Sequence, residues 1–299
     1  MRPEIAKGPD AAKPDSTVAP STPIPLSVDR PAHITRRSGL VGIGALAGGL
    51  VLSGSLAGAL RAADLVAGEQ GGVSAVTSGH TLTLEDGLNV RLAGITAPSR
   101  SEPWGREARE GLSALLRGRT VQLSYGGDPR DRYDRALAQL HTLTTEGTPD
   151  LWIQEDLVRL GLARVYTWPK ELIDHVRLYK AEGEARRAGR GLWGHPAYAV
   201  RGPEPNALAQ HVDSLQLVEG IVTSTADIRG RAYLNFGADY RTDFTVAVAR
   251  KHRKRFKGSE PVGDPVLLEG ARIRVRGWVE LINGPMIWAS HPARIEVLS

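Results

Sequence analysis

The chain of 299 residues contains no cysteine, has 41% hydrophobic residues and carries a formal net charge of +5. This composition supplies enough apolar residues for one or two globular domains, and it excludes disulfide bridges, a thiolate nucleophile and a cysteine–zinc site. The basic excess is modest, so it fits a polyanionic partner such as nucleic acid and also an ordinary basic surface.

The first 63 residues are predicted to lie outside the folded part of the chain. Residues 1–34 are rich in Pro, Ala and Ser, which is typical of a disordered leader. In residues 35–63, Arg36-Arg37 precede an uncharged run rich in Gly, Ala and Leu over residues 38–60. This pattern is similar to a twin-arginine signal peptide. It predicts an exported, periplasmic or extracellular (secreted) protein; a retained membrane anchor over 38–60 or a soluble helix are the alternatives.

The next part of the chain alternates between strand and helix patterns. Period-two alternation predicts a meander of three strands over 73–77, 81–84 and 89–94, joined by turn residues. Five strands with helices between and after them suit a small closed barrel, which makes the fold mainly β with α. The remaining predicted elements are a helix over 106–116, strands over 121–125 and 135–141, a helix over 150–160 with Asp150 as N-cap, and a helix over 169–188 with Pro169 in its first turn.

Four motifs follow one another within residues 72–198. They are Val90-Arg-Leu-Ala-Gly-Ile-Thr-Ala-Pro-Ser99, Asp131-Arg-Tyr-Asp-Arg-Ala-Leu137, Leu157-Val-Arg-Leu-Gly-Leu-Ala-Arg-Val-Tyr166, and Gly189-Arg-Gly-Leu-Trp193. In this order and with these gaps they resemble the staphylococcal nuclease (thermonuclease) family. The resemblance implies an OB-fold barrel of five strands with three helices, and a nuclease (hydrolase) activity on phosphodiesters.

The chain departs from that family at the three acidic positions that hold calcium and activate water. These positions are occupied by His80, Thr96 and Ser99. Calcium prefers six to eight oxygen ligands that include carboxylates. The sequence therefore predicts no metal site and no cofactor, and a calcium-dependent nuclease activity that is weak or absent.

The two arginines that bind phosphate in the family are present as Arg91 and Arg135. A planar guanidinium donates two parallel hydrogen bonds to a phosphate, which suits this task; a local ion pair between Arg135 and Asp131 is the alternative. His80 is a candidate general base because its ordinary pKa is near 6.5, or it is simply a turn residue. Glu102 is a candidate replacement for a missing carboxylate.

The resemblance also implies substrate-binding side chains around these arginines. Tyr166 and Trp168 lie where the family places two tyrosines beside the nucleotide, so either ring is a candidate for stacking on a base. Packing of Trp168 against Pro169 is the alternative. The candidate substrate-binding residues are Asp131, Arg132, Tyr133, Tyr166 and Trp168.

A linker over 199–211 is predicted to lead to a second domain over 212–299. Strand patterns and the hairpin signal Asn283-Gly284 resemble the OB-like β-barrel domains appended to thermonuclease homologues. A basic run within it predicts a nucleic-acid contact, or a solvated loop. Its candidate nucleic-acid-binding residues are Arg250, Lys251, Arg253, Lys254, Arg255 and Lys257.

Together these patterns predict an exported, thermonuclease-like protein that binds nucleic acid or another phosphate polymer. Two alternatives remain open. One is an active phosphodiester-hydrolysing nuclease with a rearranged site, and the other is a structural or interaction protein of the cell envelope. The sequence makes no prediction of the oligomeric state.

Overall fold

The computed structural model describes residues 65–171 and 173–298. The predicted leader over 1–34 and the predicted signal or membrane anchor over 35–63 lie outside the described residues. Within the described part, no helix is both long enough and apolar enough to cross a membrane.

The strands of the first barrel are β1 Val66–Gly71, β2 Val73–Ser78, β3 Thr81–Leu84, β4 Asn89–Leu92, β5 Ile95–Thr96, β6 Val121–Tyr125, β7 Ala136–Leu143, β8 Pro149–Trp152 and β9 Arg164–Val165. Seven of them form a sheet in the order β1-β6-β7-β4-β3-β2, with β8 paired to β7. Strands β1 and β2 are two halves of one strand interrupted at Gly72, so the two ends of this order meet and the sheet closes. Strands β5 and β9 form a separate pair.

Three helices accompany this barrel: α1 Gly105–Leu116, α2 Ile153–Arg159 and α3 His175–Arg187. The predicted helix start at Asp150 is wrong, because β8 finds its backbone partners on β7. The predicted start of the third helix at Pro169 is also wrong. The carboxylate of Asp174 accepts the amide of Arg177 at 3.0 Å and caps α3 there.

The second part of the chain contains α4 Pro205–Leu208, β10 Leu215–Ile221, β11 Ser224–Ile228, β12 Arg231–Asn235, β13 Thr245–Val248, β14 Arg272–Leu281, β15 Pro285–Trp288 and β16 Ile295–Val297. These strands form a second barrel with the same strand order as the first. Its sheet runs β10-β14-β15-β13-β12-β11, with β16 on the other side of β14, and β10 leads directly into β11. Each barrel contains one parallel pair in its sheet, β4 with β7 and β13 with β15. The predicted fold class, an OB-type barrel with helices followed by a second β-barrel, is therefore confirmed.

Each barrel encloses an apolar core of its own. Inward-facing leucines and valines of the strands meet the apolar faces of α1, α2 and α3 in the first barrel. The second core includes Leu208 of the predicted linker, which is fully buried. Burial of these side chains supplies most of the driving force for folding.

A polar junction joins the two barrels. Arg276 on β14 is fully buried and donates to both carboxylate oxygens of Glu182 on α3, at 3.1 and 2.8 Å, and to Glu296 at 2.6 Å. Near it, the hydroxyl of Thr167 and Nε2 of His291 are 2.7 Å apart. A buried charge is stable only with its partner in place, so these contacts hold the barrels in one arrangement.

Candidate functional site at the mouth of the first barrel

Three of the predicted site residues meet at one end of the first barrel. Val90 pairs with Ala136 across the parallel strands β4 and β7, so Arg91 and Arg135 lie at the same end of that pair. His80 ends the turn between β2 and β3, one residue before Thr81, which pairs with Arg91. We call the surface formed by His80, Arg91 and Arg135 the barrel mouth.

The turn that carries His80 fits closely against its neighbours. Gly79 is buried, and a Cβ atom there would lie 2.6 Å from the Cβ atoms of Ala97 and Ala108. This contact leaves room only for glycine, and it places Nδ1 of His80 where it accepts the amide of Ala97 at 3.1 Å. The turn is therefore fixed from both sides.

His80 is neutral in the fold. Burial, followed by the charges of Arg91 and Arg135, lowers the pKa of His80 to about 3. Because Nδ1 accepts the Ala97 amide, the proton of the neutral ring resides on Nε2. His80 is therefore suited to donate a hydrogen bond to a phosphate oxygen, and it has no free lone pair for a general base.

Arg135 is oriented by Asp131, as the ion-pair alternative predicted. Nε of Arg135 lies 2.8 Å and its Nη2 2.6 Å from one carboxylate oxygen of Asp131, whose other oxygen accepts the amides of Tyr133 and Arg135. Burial opposes ionisation of Asp131, but these hydrogen bonds outweigh it and lower its pKa. Asp134 occupies the left-handed region with φ 60°, a conformation that Asp tolerates in turns. The ion pair leaves Nη1 of Arg135 for a ligand.

Arg91 has an acidic neighbour that sequence reasoning missed. Burial lowers the pKa of Arg91, and the carboxylate of Glu171 is the largest charge that opposes this effect. Oε2 of Glu171 accepts the amides of Gly94 and Trp168, both at 3.1 Å, while within the described chain its buried Oε1 has no hydrogen-bond partner. Burial raises the pKa of Glu171 to about 7. Glu171 fell inside a predicted helix, so no signal in the sequence marked it.

The side chains at the three former carboxylate positions do not fit calcium. Thr96 is in β5 opposite Arg164, and Ser99 is exposed in the following turn. Glu102 accepts the Ser99 amide at 2.6 Å, which ties its carboxylate to the turn before α1. Across residues 65–171 and 173–298, no group of three or more His, Asp or Glu side chains is arranged to hold a metal ion. A hard cation with several carboxylate ligands has no matching donor set at the barrel mouth.

Tyr133 presents a ring next to the barrel mouth. Its side chain is 63% exposed, and the guanidinium carbons of Arg132 and Arg135 lie 4.7 and 5.1 Å from its ring centre. Arg132 also donates to the Tyr133 hydroxyl at 2.6 Å. An exposed aromatic ring with two cations beside it is placed to meet a base and its phosphates together.

The second aromatic pair is divided between the interior and the surface. Tyr166 is 6% exposed, and the guanidinium carbon of Arg294 lies 3.6 Å from its ring centre. Trp168 is 47% exposed and meets Tyr166 edge to face. Of the two rings, Trp168 is the one that a base can reach.

The basic run in the second barrel does not act as one surface. It forms a 3-10 helix over Arg250–Arg255. Arg250, Lys251 and Lys254 line an open depression of about 740 Å³ together with Arg231, which we call the cationic depression. The run therefore supplies a concave surface that attracts anions.

Other cations of the run have different environments. Arg253 pairs with Asp227 at 2.9 Å and with Asp264 at 2.6 Å, so its charge is already neutralised. Arg255 points to another side of the barrel, where it donates to the carbonyl of Ser290 at 3.1 Å. Lys257 is exposed.

The part of the chain that forms most of the first barrel is similar to known proteins. Residues 89–195 match the family described as Staphylococcal nuclease homologue. A protein described as an uncharacterized endonuclease from Escherichia coli O157:H7 is 32% identical over 133 residues, which are 43% of this chain and 80% of that protein. A protein of the same description from Haemophilus influenzae is 31% identical over 123 residues, 40% of this chain and 62% of that protein. The thermonuclease of Staphylococcus intermedius is 27% identical over 142 residues, 43% of this chain and 78% of that protein.

Proposed function

The chain belongs to the family of staphylococcal nuclease homologues, and we propose that its nuclease-like domain binds nucleic acid, or another phosphate polymer, without calcium-activated hydrolysis. The observation that carries the proposal is the composition of the barrel mouth. Two arginines and a neutral histidine donor converge there, while the positions that hold calcium in the family carry His80, Thr96 and Ser99.

Binding is supported by the hydrogen-bond donors that the mouth leaves open. Arg91 donates one hydrogen bond to the carbonyl of Leu92 at 3.3 Å. Arg135 contacts Asp131 with one side of its guanidinium, so the other side is available to a ligand. His80 adds a donor at Nε2. Charged donors to phosphate form short and strong hydrogen bonds, and two of them together with one neutral donor suit a single phosphodiester group.

Rapid hydrolysis lacks support from the same residues. Cleavage of a phosphodiester needs an activated water as well as charge neutralisation. The nitrogen of His80 that could accept a proton is occupied by the Ala97 amide. Residue types that do not fit calcium cannot supply the metal-activated water of the family.

The runner-up is a nuclease with a rearranged, metal-independent site, and Glu171 is the observation that favours it. A buried carboxylate beside Arg91, with one oxygen that has no partner in the described chain and a pKa raised to about 7 by burial, has the character of a general base. Cleavage that persists in chelator and is lost in Glu171→Gln would establish this function in place of binding alone.

The proposal is tested by fluorescence anisotropy of labelled single-stranded DNA in excess chelator. The double variant Arg91→Ala/Arg135→Ala should weaken binding by about tenfold or more for each arginine. It should also reduce the salt slope by about 0.7 to 1.4 units, since the two arginines cover one or two phosphates and each phosphate contact on a single strand contributes about 0.7. The matched control replaces Arg117 and Arg187, two exposed arginines outside the mouth. Equal affinities of the two double variants would refute the proposal.

We also propose that the chain is exported. The support is the pair Arg36-Arg37 ahead of the uncharged run over 38–60. Changing both arginines to lysine should retain the protein in the cytoplasm when cells are fractionated. Unchanged recovery outside the cytoplasm would contradict the proposal, and the mature N-terminus would distinguish a cleaved signal from a membrane anchor.

A further inference from the structure

A groove of about 730 Å³ lies between the two barrels. One wall comes from residues 167–169, 171 and 173, including Trp168, and continues onto α3. The other wall comes from the second barrel, from residues 255–262 and 291–297. This size is in the range of pockets that hold organic ligands, about 300 to 1,000 Å³. We call it the interbarrel groove.

Glu171 links the interbarrel groove to the barrel mouth. Glu171 lines the groove, and its carboxylate reaches the amide of Gly94, three residues after Arg91. The same carboxylate is the largest charge that acts on the pKa of Arg91. The groove and Arg91 therefore lie on opposite sides of one shared side chain, Glu171.

The walls of the groove match the chemistry of a single strand. Trp168 offers an exposed ring, and Arg255 brings an exposed cation to the opposite wall. The carboxylate of Glu296 also lines the groove, but Arg276 neutralises it at 2.6 Å. Two other carboxylates in the groove oppose a polyanion: Glu260, which is exposed in the same wall as Arg255, and Glu171 in the opposite wall.

We propose that the interbarrel groove receives the single-stranded continuation of a nucleic acid bound at the barrel mouth. A base stacks on Trp168, and a phosphate further along the strand contacts Arg255. This inference rests on the proposed function, and it assigns a role to the second barrel that its strands alone do not indicate. A duplex keeps its bases stacked inside, so only a single strand can present a base to Trp168.

The 3-10 helix of the basic run places Arg255 on a different face from Lys251 and Lys254. Side chains three apart in a 3-10 helix share a face. Lys251 and Lys254 accordingly point to the cationic depression, while His252 and Arg255 contact each other on the side of the groove. The two faces offer alternative routes for the strand, and the groove is favoured because Glu171, the acidic neighbour of Arg91, lines it.

The test is a length series of labelled oligothymidylates, from about two to about twelve nucleotides, titrated in chelator. The affinity of the wild type should rise with length beyond what the mouth alone can cover. Trp168→Ala should weaken binding of the longer oligonucleotides roughly 5- to 150-fold, which is a larger factor than for the shortest ones. Arg255→Gln should lower the salt slope for long strands by about 0.7. Tyr240→Ala and Arg117→Ala, which remove an exposed ring and an exposed cation elsewhere, are the controls.

A third variant should strengthen binding of the oligonucleotide instead of weakening it. Glu260→Gln removes the exposed carboxylate and should strengthen binding of long strands only, because it relieves repulsion of a phosphate in the groove. Folding of every variant is checked by circular dichroism, and a gain in affinity cannot result from unfolding. The Glu260 variant therefore keeps the inference testable even if Trp168→Ala proves unstable.

The outcomes separate the groove from the mouth. If Arg91→Ala/Arg135→Ala loses affinity at every length while the Trp168 and Arg255 variants match their controls, the groove is overturned and the proposed function stands. If Lys251→Gln/Lys254→Gln flattens the salt slope instead, the strand runs to the cationic depression and the inference is wrong. If the wild type binds no oligonucleotide, the proposed function and the groove both fail.

Discussion

Replacement of Arg276 by methionine tests whether the polar junction fixes the two barrels. Methionine has a similar length and no donor, so the change removes the three hydrogen bonds to Glu182 and Glu296 and a fourth to the carbonyl of Val165 at 2.8 Å. Glu182, which is 1% exposed, then keeps the Val165 amide at 2.8 Å and Arg186 at 3.9 Å. The variant therefore leaves a buried and poorly compensated carboxylate.

The expected loss of stability follows from that carboxylate. Removing one partner of a buried ion pair costs about 3 to 5 kcal/mol, mainly because the other charge stays buried. For a folded region of this size, each kcal/mol lowers Tm by about 2 to 4 °C, so Arg276→Met should lower Tm by about 6 to 20 °C. Arg276→Met/Glu182→Gln should lose less than the sum of the single changes, because the buried carboxylate without its partner is no longer present.

Thermal unfolding followed by circular dichroism measures these differences. The matched control is Arg272→Met on the same strand, whose side chain is 62% exposed and pairs with Glu219 at 2.6 Å. A surface ion pair contributes at most about 1 kcal/mol, so the control should change Tm by a few degrees at most. Equal Tm values for the Arg276 and Arg272 variants would refute the assignment of the junction as the contact that holds the barrels.

Two predictions concern pH. Because burial raises the pKa of Glu171 to about 7, its negative charge beside Arg91 disappears as the pH falls from 8 to 6, and the affinity for single-stranded DNA should rise several-fold. Glu171→Gln should abolish this pH dependence. A wild-type affinity that is independent of pH in anisotropy titrations would contradict the prediction. Burial, then Arg294, lowers the pKa of His291 from 6.5 to about 3, so its contribution to stability is complete above pH 6.5 and declines as the pH falls. At pH 5 the loss in the free energy of unfolding is about 2 kcal/mol, because pH 5 is 1.5 units below 6.5 and each unit corresponds to about 1.36 kcal/mol. In urea unfolding, His291→Asn should lose correspondingly less stability between pH 7 and pH 5 than the wild type does.

Patterns that depend on neighbours in the chain were predictable. The meander that carries Arg91 follows from period-two alternation, and the Asn283-Gly284 turn has positive φ at both residues, 49° and 90°, as its sequence indicates. The convergence of Arg91 with Arg135 followed from the family resemblance, because a shared strand order places both at one end of the barrel.

Features set by contacts distant in the chain were not predictable. Strand β1 has mostly exposed or half-buried side chains, and its extended form comes from pairing with β6 rather than from apolar alternation. The raised pKa of Glu171 depends on burial against segments distant in sequence. A run of cations also cannot reveal which members meet a carboxylate, as Arg253 does with Asp227 and Asp264.

The most direct measurement is digestion of single-stranded DNA, double-stranded DNA and RNA by the pure protein, with calcium, with magnesium and with chelator. The barrel mouth predicts that calcium does not stimulate cleavage by the wild type, while His80→Asp/Thr96→Asp/Ser99→Glu gains calcium-dependent activity because both arginines remain in place. Calcium-stimulated cleavage by the wild type that disappears in Arg135→Ala would contradict the account.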